Sequence, residues 1–290
     1  MSVPPPATPS TIDDSRNLDA KTVAGFGDEW TKFDQQSLSP SERQEIFERY
    51  FKIFPWDSLP PNAVGFDLGS GSGRWASCVA PRVGVLHCID ASEAAIKVAQ
   101  QNLVNHDNCK FHVASVDQIP LPDASMDFGY SLGVLHHVPD TLQAIKSCVQ
   151  KLKPNAPFLI YLYYAFDNRP VWFRALWRIS DLLRRVISKF PFWLKHLITS
   201  TIALFVYLPL ARFALVLEKL GVNVDAFPLS TYRKLSFYTM RTDALDRFAT
   251  RLEQRFTLVE IKRMLTEAGL ERIEHSTSEP YWCAVGYRKA

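Results

Sequence analysis

The segment 63–73 does most to narrow the folds open to this 290-residue chain. An apolar run over residues 63–68 breaks into Gly69-Ser70-Gly71-Ser72-Gly73, and a helix-like stretch follows over 74–80. Glycines in alternate positions let a backbone turn with positive φ and pass close to a ligand. The start of the next helix offers unpaired N–H groups to an anion such as a carboxylate. A second apolar run, 83–89, ends at Asp90, seventeen residues after Gly73, where a carboxylate is placed to accept both hydroxyls of a ribose. Strand, glycine turn, helix, strand and terminal acid make the layout of a nucleoside-cofactor site on a doubly wound α/β sheet.

The spacing discriminates further. A dinucleotide fingerprint requires G-x-G-x-x-G/A, whereas these glycines run G-x-G-x-G with Asp67 two positions ahead of the first. The stretch from Asp67 to Gly73 resembles motif I, D-x-G-x-G-x-G, of the class I S-adenosylmethionine-dependent methyltransferases. Residues 115–127, S-V-D-Q-I-P-L-P-D-A-S-M-D, are similar to that family's D-A-x-x-L-P-F-x-D-x-x-F-D, and 131–138, S-L-G-V-L-H-H-V, resemble its strand-four ending. The resemblance covers roughly residues 60–164, resumes weakly at 257–288, and is nearest the branch that includes the ubiquinone/menaquinone C-methyltransferases.

That resemblance implies S-adenosyl-L-methionine as cofactor and S-adenosyl-L-homocysteine as product. Carried over residue by residue, Asp67 and the backbone of Gly69, Ser70, Gly71 and Gly73 would hold the methionine end. Asp90, with Ala91 beside it, would take the ribose, Val116 the adenine edge, and the Leu132 carbonyl region the methionine amine. Where the family usually has an acid for the adenine amino group, this chain has Ser115. Either the Ser115 hydroxyl serves, or Asp117 substitutes from the same side of an extended segment.

Strands are expected near 63–68, 84–89, 110–114, 126–132 and 156–163, alternating with helices near 41–53, 73–80, 92–105 and 141–152. Thr257 and Glu260 form a capping-box pattern opening a helix that stops at Gly269, and strands near 270–275 and 281–287 follow. The resemblance implies a Rossmann-like seven-stranded sheet of order 3-2-1-4-5-7-6. The expected organisation is a mobile tail over 1–20, a helical lid over 21–60, a core over 61–164 and 241–290, and a helical, aromatic, basic cap over 165–240.

The cap is the unusual part, because a connection this long inside a compact domain usually serves function. It carries eleven Lys/Arg against four Asp/Glu, while the whole chain stands at only +3. In its first part Trp172, Leu176, Ile179, Leu183 and Ile187 share one helical face, opposite Arg174, Arg178, Asp181 and Arg185. Its second part, 197–217, is nearly uncharged apart from Arg212. The unbroken apolar run 197–211 is short for a membrane span and contains Pro209, so a spanning helix is not expected. A cap packed on protein is the expected arrangement; a helix lying in a membrane interface and a homodimer face are the alternatives.

Five cysteines without C-x-x-C spacing suit reduced thiols in a cytoplasmic protein. The opening Met1-Ser-Val-Pro-Pro-Pro lacks a basic start and an apolar segment, so a secretory signal is not expected. Nucleic acid is not expected either, because the basic insert is too apolar for a solvated phosphate groove.

Methyl transfer from a sulfonium is a displacement in which positioning alone contributes about 7–11 kcal/mol. His136 and His137 follow strand four at the ligand-binding edge and are candidate bases, with turn-stabilising hydrogen bonds as the alternative role. Phe26 and Trp30 could fold over the sulfonium, while Tyr163, Tyr238 and Arg241 are candidates to contact the acceptor. No metal is expected. The acceptor is expected to be small or lipophilic with an anionic part, methylated on oxygen or carbon. A saccharide or polyketide-like acceptor, and a non-catalytic cofactor-binding protein whose cap docks a partner or membrane, are the other readings.

Overall fold

The apolar runs of the sequence lie side by side as strands. In the computed structural model, which describes residues 17–290, β1 (Val64–Leu68), β2 (Val85–Asp90), β3 (Cys109–Val113), β4 (Phe128–Leu132) and β5 (Pro157–Tyr161) run parallel. Two further strands, β6 (Leu270–His275) and β7 (Ala284–Arg288), complete the sheet in the order β3-β2-β1-β4-β5-β7-β6, with β7 antiparallel to both neighbours.

Helices α1 (Ala20–Lys32), α2 (Pro40–Phe51), α3 (Ala76–Val79), α4 (Glu93–Asn102) and α5 (Thr141–Lys151) precede β5. After β5 come α6 (Val171–Ile187), α7 (Phe192–Ile202), α8 (Leu208–Lys219), α9 (Phe237–Ala249) and α10 (Leu258–Glu267). Strand alternation divides the core into two layers. Phe66, Ile89, Phe158 and Ile160 pack with Ile145 of α5 and Leu265 of α10. On the other face Leu86, Phe128, Tyr130 and Leu159 meet Phe47 and Phe51 of α2 and Val79 of α3.

Local chemistry sets the element ends. The Thr257 hydroxyl accepts the Glu260 amide at 3.3 Å while the Glu260 carboxylate accepts the Thr257 amide at 2.8 Å, completing the capping box of α10. Gly269, at φ 92°, ends that helix. Of the tail expected over 1–20, residues 1–16 lie outside the described residues. Within that expected tail the Asn17 amide bonds both the carbonyl and the N–H of Asp140, at 2.7 and 2.8 Å, and Asp19 caps α1.

The second half of the insert departs most from expectation. Helix α7, a π-helical turn over Ala203–Tyr207 and α8 run on as one stretch, Phe192–Lys219, of 28 residues, whose most apolar window has a mean hydropathy of 1.9. Pro209 does not interrupt it, because it sits in the first turn of α8, directly after the wider π turn. By length and composition this stretch could cross a membrane, and only 22% of its most apolar window is buried. The buried face, Thr199, Ala203, Tyr207, Ala211 and Ala214, recurs at helical spacing, and Ala203, Tyr207 and Ala211 pack on Met240, Ala244 and Phe248 of α9. The expected packing on protein therefore holds for one face only.

Candidate active site

Loop geometry at the end of β1 creates the first cavity. Gly69, Gly71 and Gly73 all take positive φ, at 77°, 51° and 77°. The amides of Gly69 and Ser70 donate to the Ile89 carbonyl at 2.7 and 3.0 Å, tying the turn to the end of β2. Asp90 stands at that end, its two carboxylate oxygens accepting the amides of Gly71 at 2.9 Å and Ser92 at 2.8 Å. Burial pushes its carboxyl above the ordinary range. Each oxygen keeps a free lone pair for a ligand hydroxyl. Phe26 and Trp30 of α1 close the cavity from above.

The sequence-derived cofactor residues divide between lining and support. Gly69, Ser70, Gly71, Asp90, Ala91, Val116 and Leu132 line the cavity. Gly73 does not; its tight turn packs on Leu103. Asp67 does not line it either: the residue is 2% exposed and accepts the Tyr130 hydroxyl at 3.0 Å from the adjacent strand position. Burial raises its carboxyl to about 8, so it supports the loop from beneath as an acid largely kept neutral. Ser115 is buried with no partner for its hydroxyl and lies behind the lining residues Ala114 and Val116, whereas Asp117 turns out to solvent. The hydroxyls of Ser70 and Ser72 are buried in the wall without partners, which fits a cavity built for a polar ligand.

The two histidines separate. His136 is fully buried, stacks on Tyr163 at 3.8 Å, accepts the Tyr163 amide at 3.4 Å through Nδ1, and lines neither cavity. His137 lines the first cavity, its ring 5.0 Å from that of Phe26. Its Nδ1 lies 2.6 Å from the Leu252 carbonyl, which can only accept, so the proton is on Nδ1 and Nε2 carries the free lone pair. Burial pushes both imidazoles below their ordinary pKa.

A second cavity, of about 550 Å³, lies between the sheet edge and the insert. Phe26, Trp30, Arg74, Trp75, Leu132 and Gly133 line both cavities and form their junction. Tyr50, Tyr161 and Tyr163 make one wall, and Glu29, Asp243 and Asp246 bring carboxyls to the same space. The Tyr163 hydroxyl hydrogen-bonds Asp246. Burial, reinforced by Asp246 and Asp243, lifts Glu29 well above the usual carboxylate range, and burial lifts Asp243 to about 6. Most of the guanidinium groups here are already matched. Arg247 and Arg255 bond Glu253 at 3.0 and 2.8 Å, and Arg169 bonds Glu279 at 3.1 Å.

Of the residues expected to contact the acceptor, Phe26, Trp30 and Tyr163 line the second cavity, and Tyr238 and Arg241 do not. The reason is helical phase. Thr239, Thr242, Asp243 and Asp246 share the cavity face of α9, and Tyr238 and Arg241 fall on another. The Tyr238 hydroxyl accepts the Gln35 amide at 3.0 Å, and Arg241 lies 5.4 Å over Phe33. Sequence reasoning missed Arg74, although it directly follows the last glycine of the loop. It also missed Glu29, Asp243 and Asp246, for which no local motif exists. No group of three or more His, Cys, Asp or Glu among the described residues is arranged to hold a metal.

Comparison with known proteins agrees with this geometry. Residues 66–160, from β1 to β5, match the methyltransferase domain family. Phosphoethanolamine N-methyltransferase 2 of Caenorhabditis elegans is 28% identical over 201 residues, 66% of this chain and 42% of its own length. A ubiquinone/menaquinone biosynthesis C-methyltransferase of Rickettsia massiliae is 31% identical over 132 residues, 38% of this chain and 53% of its own. The chain thus spans about half the length of the curated relatives it matches. A Bacillus halodurans structure described as a methyltransferase shares the fold with TM-score 0.50 at 15% identity, over 79% of this chain and 71% of that one.

Sheet order, glycine cradle and terminal acid together define a nucleoside-binding transferase fold. With the domain match, the chain carries a class I S-adenosylmethionine-dependent methyltransferase domain. The cofactor of that class is S-adenosylmethionine, and the partnerless hydroxyls, positive-φ glycines and Asp90 of the first cavity fit it.

Proposed function

We propose that the chain is an S-adenosylmethionine-dependent methyltransferase that works against an anionic lipid surface on a small lipophilic acceptor. One observation carries the second half of this reading. Leu176 and Val206 belong both to the wall of the 550 Å³ cavity and to the exposed apolar face of the insert. An apolar acceptor can therefore pass from lipid to the junction without crossing polar surface.

The outer face suits that occupant. Trp172, Ile179 and Leu183 of α6 stand exposed, as do Trp193, Leu197, Phe205 and Phe213 of the 192–219 stretch. The exposed charges on these helices, Arg174, Arg178, Arg185, Arg212 and Lys219, are all cationic. Asp181 is tied to Arg184 and Arg185 at 2.8 and 2.9 Å, and Glu218 to Arg233 at 2.8 Å. Aromatic and aliphatic residues at the acyl boundary with arginines at the headgroups describe an interfacial helix pair. Spanning would strip Ala203, Tyr207 and Ala211 from α9, so the pair lies in the interface.

The cofactor supplies an electrophilic methyl on a sulfonium. The protein's part is to hold it. Asp90 would take the ribose hydroxyls, the 69–73 backbone the methionine end, the Val116 backbone the adenine edge, and Arg74 at the junction the methionine carboxylate. Phe26 and Trp30 exclude water above.

The test is the full chain with methyl-labelled S-adenosylmethionine and a total lipid extract, with and without phosphatidylglycerol vesicles. Label extracted into the organic phase, with the protein sedimenting with those vesicles and not with phosphatidylcholine vesicles, is the expected result. Label confined to aqueous products would replace the lipophilic acceptor by a polar metabolite.

A further inference from the structure

We infer that the accepting group is an amine, held as its ammonium form between the tyrosine wall and the three carboxyls of the second cavity. This rests on the methyltransferase reading and names the substrate class of the same site. It replaces the expected anionic acceptor on oxygen or carbon.

The charge inside the cavity points this way. Glu29 is 3% exposed, faces the cavity, and receives no hydrogen bond from any described residue. Asp243 and Asp246 face the same space from α9. Against these three carboxyls, Arg74 is the guanidinium that pairs with no carboxylate among the described residues, and it stacks on Trp75 at 4.1 Å. A buried carboxyl without a partner is costly, and an ammonium ligand relieves it by bringing charge and donors together. An anionic acceptor would find one free guanidinium among the described residues, Arg74, set against carboxyls from α1 and α9.

The aromatic wall agrees independently. Trp75, Tyr50, Tyr161 and Tyr163 follow one another with ring centroids 5.3, 5.2 and 6.0 Å apart, and all line the cavity. Arg74 already lies over Trp75 at 4.1 Å, and Tyr163 is engaged by His136 at 3.8 Å and Arg255 at 4.9 Å, so Tyr50 and Tyr161 are the rings of this wall that carry no guanidinium among the described residues. Ring faces attract cations, most strongly where water is excluded. No three of these carboxyls converge as metal ligands would, which favours an organic cation over a metal ion. Beyond the wall the cavity turns apolar at Phe166, Trp177, Leu210 and Phe227, room for the body of a lipophilic amine.

The chemistry balances. The bound ammonium gives one proton to a cavity carboxylate. Its freed lone pair forms the new N–CH3 bond as the methyl–sulfur bond breaks, and that bonding pair stays on sulfur, leaving a neutral thioether. The product is a methylated ammonium, and the carboxyl returns its proton to water.

Octylamine, 1-octanol and octanoate, titrated calorimetrically into the full chain, test the inference whether or not cofactor is bound. The amine is expected to bind about tenfold or more tighter than either analogue. Asp243→Asn and Glu29→Gln should each shrink that preference while leaving 1-octanol binding unchanged. Octanol or octanoate binding as tightly as the amine to the unaltered chain overturns the inference, even where a variant fails to fold. So does an amine preference that survives both substitutions. A separate titration with S-adenosylmethionine reports on the methyltransferase reading: absent cofactor binding defeats that reading, and lost amine preference defeats this inference alone.

Discussion

Trp30 covers Gly71 so closely that a Cβ added to the glycine would stand 2.9 Å from the indole ring. One contact thus joins the glycine loop to the helix above it and sets the height of the cofactor cavity. At φ 51°, Gly71 also occupies a backbone region costly to a side chain, by about 1–2 kcal/mol. Gly71→Ala should weaken S-adenosylmethionine binding about tenfold or more. In the Trp30→Ala background the same change should cost less, because the collision is gone. Calorimetric titration of the four proteins of this double-mutant cycle measures the difference; equal losses in both backgrounds would refute the contact.

The histidines yield a prediction that separates two roles. His137 faces the first cavity and Asp243 the second, so of these two Asp243 is the one placed to take a proton from the acceptor. His137→Asn, which keeps a donor for the Leu252 carbonyl, should raise the KM for S-adenosylmethionine while kcat stays within about tenfold. Asp243→Asn should lower kcat by about a hundredfold, the ordinary scale of a lost base. Because burial holds Asp243 at about 6, the native rate should fall as pH drops through that value. Steady-state kinetics with octylamine decide it; a larger kcat loss for His137→Asn would move the base to the imidazole.

The cofactor cradle can be read from the sequence because its parts are local. Gly69, Gly71, Gly73 and Asp90 fall within 22 residues, and the strand that carries each glycine turn fixes where the acid ends. Sheet order follows from the same family pattern. The acceptor side cannot be read this way. Glu29 and Asp243 reach one cavity from helices more than two hundred residues apart, and only the folded insert brings them together. Arg241 shows the limit most sharply, since it lies two residues from Asp243 and the phase of α9 turns it elsewhere. The apolar run 197–211 misleads for a different reason: the π turn before α8 lets Pro209 sit in an unbroken helix, and no pattern of residue types announces that turn.

Asp67 makes stability depend on pH in a defined direction. Its folded pKa of about 8 lies above the unfolded value near 4, so the folded chain holds a proton that the unfolded chain releases. Stability should fall as pH rises from about 4 to about 8 and lose nothing more from this group above that. Asp67→Asn keeps an acceptor for the Tyr130 hydroxyl and removes the titration. Its melting temperature should exceed the native one by a margin that widens from pH 5 to pH 8, equivalent to a few kcal/mol at most. A constant margin in melting curves across that range would show that Asp67 ionises freely in the fold.

The outer face of the insert gives the last prediction. Phe205 is 71% exposed and Trp193 67% exposed, so neither contributes much to packing on α9. Replacing both by aspartate should leave the melting temperature nearly unchanged, since exposed substitutions typically shift stability by within about 0.5 kcal/mol. Inserted in an acyl boundary, each aromatic side chain would contribute about 1.5–3 kcal/mol of burial, so losing two should weaken vesicle partitioning about a hundredfold or more. Sedimentation with phosphatidylglycerol vesicles measures this directly. A homodimer face would behave differently: the native chain would sediment in an analytical ultracentrifuge as twice its 33.0 kDa mass without lipid, and the aspartate pair would return it to the monomer. Lipid loss with an unchanged monomer is the outcome that places these helices at a membrane surface, and it would explain why so apolar a stretch keeps only cations at its exposed charged positions.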